Sequence, residues 1–130
     1  MSWVEFLDNP EHLRAFFDDT SGLDRISLFE VSLDREGPRL KLRANLDRFP
    51  DRRSPRWDTS ANRAQVTLVL SLTGELVLRG WSTTMEGTLS MERVSAREVH
   101  FQFLCPQVVI SGFADYVFLD KVSAYVEATG

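Results

Sequence analysis

The chain has 130 residues, 43% hydrophobic and 26% charged, which is enough for one domain to bury its own core without help from a disulfide or a metal. A net charge of −4 speaks against the basic footprint of a nucleic-acid-binding protein, and the single cysteine, Cys105, excludes an internal disulfide and a thiolate zinc cage. The N-terminus Met1-Ser2-Trp3-Val4-Glu5-Phe6 lacks a cationic segment leading into an apolar stretch, and no apolar run approaches the ~18 residues of a membrane helix, so a cytoplasmic location away from membranes is expected.

Only the first 20 residues carry a helical signal. Asn9 is placed as an N-cap and Pro10 at the first helical position, and Leu13, Phe16 and Phe17 share one face. Ser21-Gly22 marks a stop. Trp3, Phe6 and Leu7 repeat the spacing upstream and predict a short leading turn. Asp18 and Asp19 fall at the negative end of the helix dipole, which predicts a short helix.

From residue 24 the period becomes two. Ile26 and Leu28 lie in one phase while Phe29, Val31 and Leu33 lie in the other, so the strand contains a bulge or is buried on both faces. After a turn at Glu36-Gly37-Pro38, Leu40, Leu42, Ala44 and Leu46 alternate cleanly with Arg39, Lys41, Arg43 and Asn45, and the two strands form a hairpin. Residues 47–63 have no period, and a loop of that length inside a domain is often functional. Alternation resumes with Val66, Leu68, Leu70 and Leu72, then Leu76 and Leu78 up to Gly80-Trp81, then Leu89 and Met91, then Val99, Phe101, Phe103 and Cys105. Segments at Val108–Ile110, Tyr116–Leu119 and Val122–Val126 end the chain. The expected fold class is mainly β: an antiparallel sandwich or strongly curved sheet of about eight strands in a single domain, residues 1–130, with one short N-terminal helix. No helical stripe between strands is long enough for a parallel crossover.

No catalytic chemistry is visible in the residues. His12 lacks a second histidine at helical zinc spacing, and His100 lies on the outward phase of its strand beside Glu98 and Gln102. Cys105 alternates in phase with core residues, as an inert thiol does. Nucleophile elbows and phosphate-binding glycine patterns are missing, and no cofactor or metal is expected. Charge is uneven: residues 1–24 hold six acids and one base, residues 34–56 eight bases and four acids. Trp57 and Trp81 sit at or beside loops, where tryptophan either caps a β core or anchors an interface. The candidate partner-binding residues are therefore Asp18, Asp19 and Asp24 on the acidic segment, Arg56-Trp57-Asp58 in the long loop, and Trp81.

The order of these features resembles the Immunity protein 50 family of bacterial polymorphic-toxin systems. The resemblance rests on the aromatic Trp3–Phe6 segment, on Leu23 to Val31 with its Arg-x-Gly-Pro turn at Arg35 to Pro38, and on Pro50, Pro55, Trp57 and Asn62 ahead of the Val66-to-Leu72 strand. Leu76-Val77-Leu78-Arg79-Gly80-Trp81 and Val122-Ser123-Ala124-Tyr125 complete it. It implies a cytoplasmic, non-enzymatic protein that binds and neutralises a cognate toxin, and it carries over no catalytic residue. The contrasting expectation is a small-molecule-binding β domain or an enzyme with a pocket inside the curved sheet. A monomer and a homodimer are both compatible with the sequence, and long flat strand edges would favour the homodimer.

Overall fold

A computed structural model describes residues 2–128, and its sheet closes into a ring. Seven antiparallel strands form it: β1 (Arg25–Asp34), β2 (Arg39–Leu46), β3 (Arg63–Leu72), β4 (Val77–Arg79), β5 (Glu86–Ser95), β6 (Glu98–Cys105) and β7 (Val108–Tyr125). The order β3-β2-β1-β5-β6-β7 is shut by β3 pairing with β7, and β4 continues β3 along the same edge of β7. The curved sheet expected from the alternation is present, with seven strands where about eight are read from the sequence.

The reduction comes from β7. Val108–Ile110, Tyr116–Leu119 and Val122–Val126 look like separate strands because Asp115 and Asp120 break the period. Both are extra residues at bulges: the pairing with β3 steps from Lys121 to Leu119 and from Tyr116 to Ala114. The first half of β7 pairs with β6 and the second half with β3, and Ala114 pairs with both Val99 and Leu72. Closing a ring requires tilted strands and a staggered register. Following paired residues once round, from Val109 through Leu104, Thr88, the Arg25–Ile26 step, Leu46 and the start of β3, returns to β7 at Ala124. One long strand therefore has to close both sides of the stagger.

The phase slip in β1 is a bulge at Phe29, with the register to β2 shifting between Leu28 and Glu30. Along β2, β3, β5 and β6 burial follows the alternation except at the strand ends, where Leu72 and Cys105 are only half-buried. Leu40, Leu42, Leu68, Leu70, Leu89, Met91, Phe101 and Phe103 are all buried and fill the interior.

The N-terminal segment supplies the rest of that filling. A 3-10 turn at Trp3–Phe6 leads to α1 (Pro10–Arg14), as short as expected, and Trp3, Leu13, Phe17 and Leu23 are buried. Trp3 satisfies its indole N–H on the Leu23 carbonyl at 2.9 Å. Asn9 holds the N-cap position but makes no side-chain cap. Its amide instead pairs with the backbone of β7: Leu119 N–H donates to Oδ1 and Nδ2 donates to the Leu119 carbonyl, both at 2.9 Å. Asp8 does the same at Val117, with its backbone N–H donating at 2.8 Å and its carboxylate accepting at 2.7 Å. These two residues stand in for a strand along the part of β7 that β6 leaves uncovered.

Candidate functional site

The long loop after β2 folds back onto the end of α1. Backbone N–H groups of Asp51 and Arg52 donate to the Phe16 carbonyl at 2.8 and 3.1 Å. Arg52 donates from Nε to the Ala15 carbonyl at 2.7 Å and from Nη2 to the Arg14 carbonyl at 2.6 Å, and its Nη1 meets the Asp18 carboxylate. A helix end leaves carbonyls without partners, and a cation placed there complements the dipole. Arg52 meets both needs, and it neutralises the Asp18 charge that the sequence places unfavourably.

Trp57 belongs to the same assembly. Its ring stacks on Phe16 with centroids 5.1 Å apart and meets Phe49 edge-on at 6.0 Å, while the Arg53 guanidinium lies 4.5 Å over Phe49. Arg53 also donates to the Ala61 carbonyl at 2.9 Å. Trp57 is half-buried against the core. Asp58 accepts from the Ser60 N–H at 2.8 Å and turns the loop, while Arg56 is exposed. Asp19 accepts from the Ser21 N–H and hydroxyl, both at 2.9 Å. Those hydrogen bonds, the backbone one foremost, hold its carboxyl below the ordinary aspartate range. Of the seven candidates, Asp18 through Arg52 and Trp57 through Phe16 join the acidic segment to the basic loop, while Asp19, Arg56 and Asp58 make only local contacts or none.

The other two lie near the seam between β1 and β5. That seam is short: only Arg25–Ser27 pair with Glu86–Thr88. Asp24 precedes it, and its carbonyl accepts from the Leu89 N–H at 2.8 Å. An open cleft of about 300 Å³ is lined by Arg25, Phe29, Asn45, Arg63, Thr84 and Glu86, among others. A second of about 600 Å³ shares Arg25, Thr84 and Glu86 and runs on to Leu104 and Gln107. Trp81 sits between Gly80 and Ser82, the latter lining the second cleft, and is 61% exposed. Gly80 has φ +76°, and a Cβ there would lie 2.0 Å from the Gln107 carbonyl oxygen, so the chain entering the Trp81 loop requires glycine. Phe29, 53% exposed at this seam, is missed in the sequence because alternation groups it with Val31 and Leu33.

Chemically, the arrangement offers surfaces. The clefts are open, and their charged groups mix Arg25 and Arg63 with Glu86 and Glu127. His100 packs beside Phe113 at 5.0 Å, and His12 Nδ1 lies 3.2 Å from the Leu119 carbonyl. Cys105 is half-buried, less enclosed than its phase predicts. Among the described residues no three His, Cys, Asp or Glu side chains gather as metal ligands, and no helix is long and apolar enough to cross a membrane.

A family model described as Immunity protein 50 matches residues 9–125. No curated protein and no solved structure matches the chain.

Proposed function

The chain belongs to the Immunity protein 50 family, and on that premise we propose that it is a non-enzymatic protein that binds and neutralises a cognate polymorphic toxin in the cytoplasm. The observation that carries this reading is the family match across residues 9–125. The filled ring supports it over a ligand-holding barrel, because side chains from six strands and the N-terminal segment occupy the interior where a small molecule would sit. Action is then stoichiometric and by surface contact, through an interface of order 1,600 Å² with a few anchors.

Within that reading Trp81 is an anchor near the β1–β5 seam, and Asp24, which precedes β1, adds negative charge at the start of that strand. Trp57 acts from beneath, by fixing through its stack on Phe16 the loop that carries the exposed Arg56 and Asp58. Co-expression with the product of the adjacent open reading frame tests the function: the expected result is a one-to-one complex and protection of the cell from that product. A protein that neither binds nor protects refutes the reading.

A further inference from the structure

Glycine bounds the connection from β4 to β5 at both ends. A Cβ at Gly80 would lie 2.0 Å from the Gln107 carbonyl oxygen, and one at Gly87 2.0 Å from the Leu104 carbonyl oxygen, so the chain is pressed against β6 and the turn after it at both points. Between them, Trp81–Glu86 is held loosely. β5 pairs with β6 only from Thr88 onward, so the segment has no strand on that side. On the other side it meets β1. Bonds from the Leu28 N–H to the Met85 carbonyl at 2.9 Å and from the Leu89 N–H to the Asp24 carbonyl at 2.8 Å lie two residues either side of the Ile26–Gly87 pair. Alternation makes Ile26–Gly87 a hydrogen-bonded pair and Ser27–Glu86 a non-bonded one. The Leu28–Met85 bond is then the one backbone hydrogen bond from Trp81–Glu86 to the rest of the chain among the described residues. Of the segment's side chains only Met85 is buried, at 4% exposure.

We propose that Trp81–Glu86 is a hinged strap that lifts off β1 about Gly80 and Gly87 while the rest of the ring stays closed. A segment with few buried contacts opens locally at lower cost than the whole domain, and a few residues at its ends absorb the change. The N-terminal turn holds the seam meanwhile. The Trp3 indole is bonded to the Leu23 carbonyl just before β1, Ser2 bridges to Ser90 on β5, and the Asp24–Leu89 bond lies beyond the hinge. Met85 is the latch, and its unbranched side chain leaves and re-enters a core site with little steric demand. The strap is also the wall between the two clefts at the seam. They share Arg25, Thr84 and Glu86, and Thr84 and Glu86 belong to the strap. Lifting it joins the clefts into one groove and moves Trp81 with it. The device is a property of the free protein and does not depend on the immunity reading.

Amide hydrogen exchange on the free, full chain tests this. The Leu28 amide is bonded to the strap, while the Leu89 amide on the same seam is not. Relative to its intrinsic rate, Leu28 is expected to exchange at least about tenfold faster than Leu89 and with little dependence on urea, as a local opening does. Leu28 and Leu89 exchanging together with one urea slope means that the seam opens only with the whole ring, and overturns the proposal. Met85→Ala tests the latch. Because the lifted strap and the unfolded chain both expose residue 85, exchange at Leu28 is expected to speed up at least about tenfold, by the same factor as the loss of global stability read from the urea midpoint. A variant that loses stability while Leu28 exchange is unchanged shows that Met85 stays in the core during the opening, and also overturns it. If Met85→Ala does not fold, the wild-type comparison of Leu28 with Leu89 decides alone.

Discussion

Replacing Arg52 by alanine frees the Arg14 and Ala15 carbonyls and leaves Asp18 without its partner. Because the side chain is about half exposed, the expected cost is about 1–2 kcal/mol, read from the urea midpoint; Arg52→Lys recovers only part of it, since a point charge lacks the two-pronged geometry. The two tryptophans should separate. Trp57→Ala removes the stack on Phe16 and costs about 2 kcal/mol or more. Trp81→Ala, at an exposed site, leaves stability within about 0.5 kcal/mol and, on the proposed immunity role, weakens toxin binding at least about tenfold by titration calorimetry. Acid provides another handle. The Glu36 N–H, and after it Arg39, hold the Asp34 carboxyl below the ordinary aspartate range, so its contribution is complete above that range and is lost as pH falls through the depressed value. Asp34→Asn should flatten the stability curve below about pH 4. Residue roles were the least legible layer: an exposed Trp81 and a stacked Trp57 look the same in sequence, because only tertiary neighbours distinguish an exposed ring from a packed one.

At the scale of elements, the alternating segments were readable and the interruptions were not interpretable. The burial of β2 and β3 follows their leucine phase because each has one face on the core. The β7 bulges were invisible because an inserted Asp115 or Asp120 looks like a strand end when the partner strand is unknown. Asn9 shows the same limit: its local context specifies a cap, yet the nearby free edge of β7 captures the amide. This makes a specific prediction. Asn9→Asp keeps an acceptor for the Leu119 N–H but sets a carboxylate against the Leu119 carbonyl. It should destabilise by about 1–3 kcal/mol at neutral pH and recover in part on acidification, as measured by thermal melts across pH. Asn9→Ala should show the loss without the recovery.

For the whole molecule, the uneven charge along the sequence turns out to be complementary in space. The acidic first segment and the basic loop meet at Asp18–Arg52, and Arg48 also acts on Asp19. The mild net charge therefore understates how much of it is already paired. Ring closure was beyond the sequence, which shows which residues face inward but not that β3 finds β7. Joining Arg63 to Tyr125 and Leu72 to Ala114 requires ordering long stretches of chain before the contact repays it. Refolding, followed by stopped-flow tryptophan fluorescence, should accordingly take milliseconds to seconds; a microsecond folder would contradict the closed ring.

β7 also sets a timetable for synthesis. A ribosome delivers β1, β2 and β3 first, and the growing sheet then waits with its leucine rows uncovered, since both β6 and β3 find their last neighbour only when the final strand emerges. Until then the nascent chain is a client for chaperones and an easy target for proteases. On the proposed immunity role, protection against the toxin would begin only when the last strand is threaded into place.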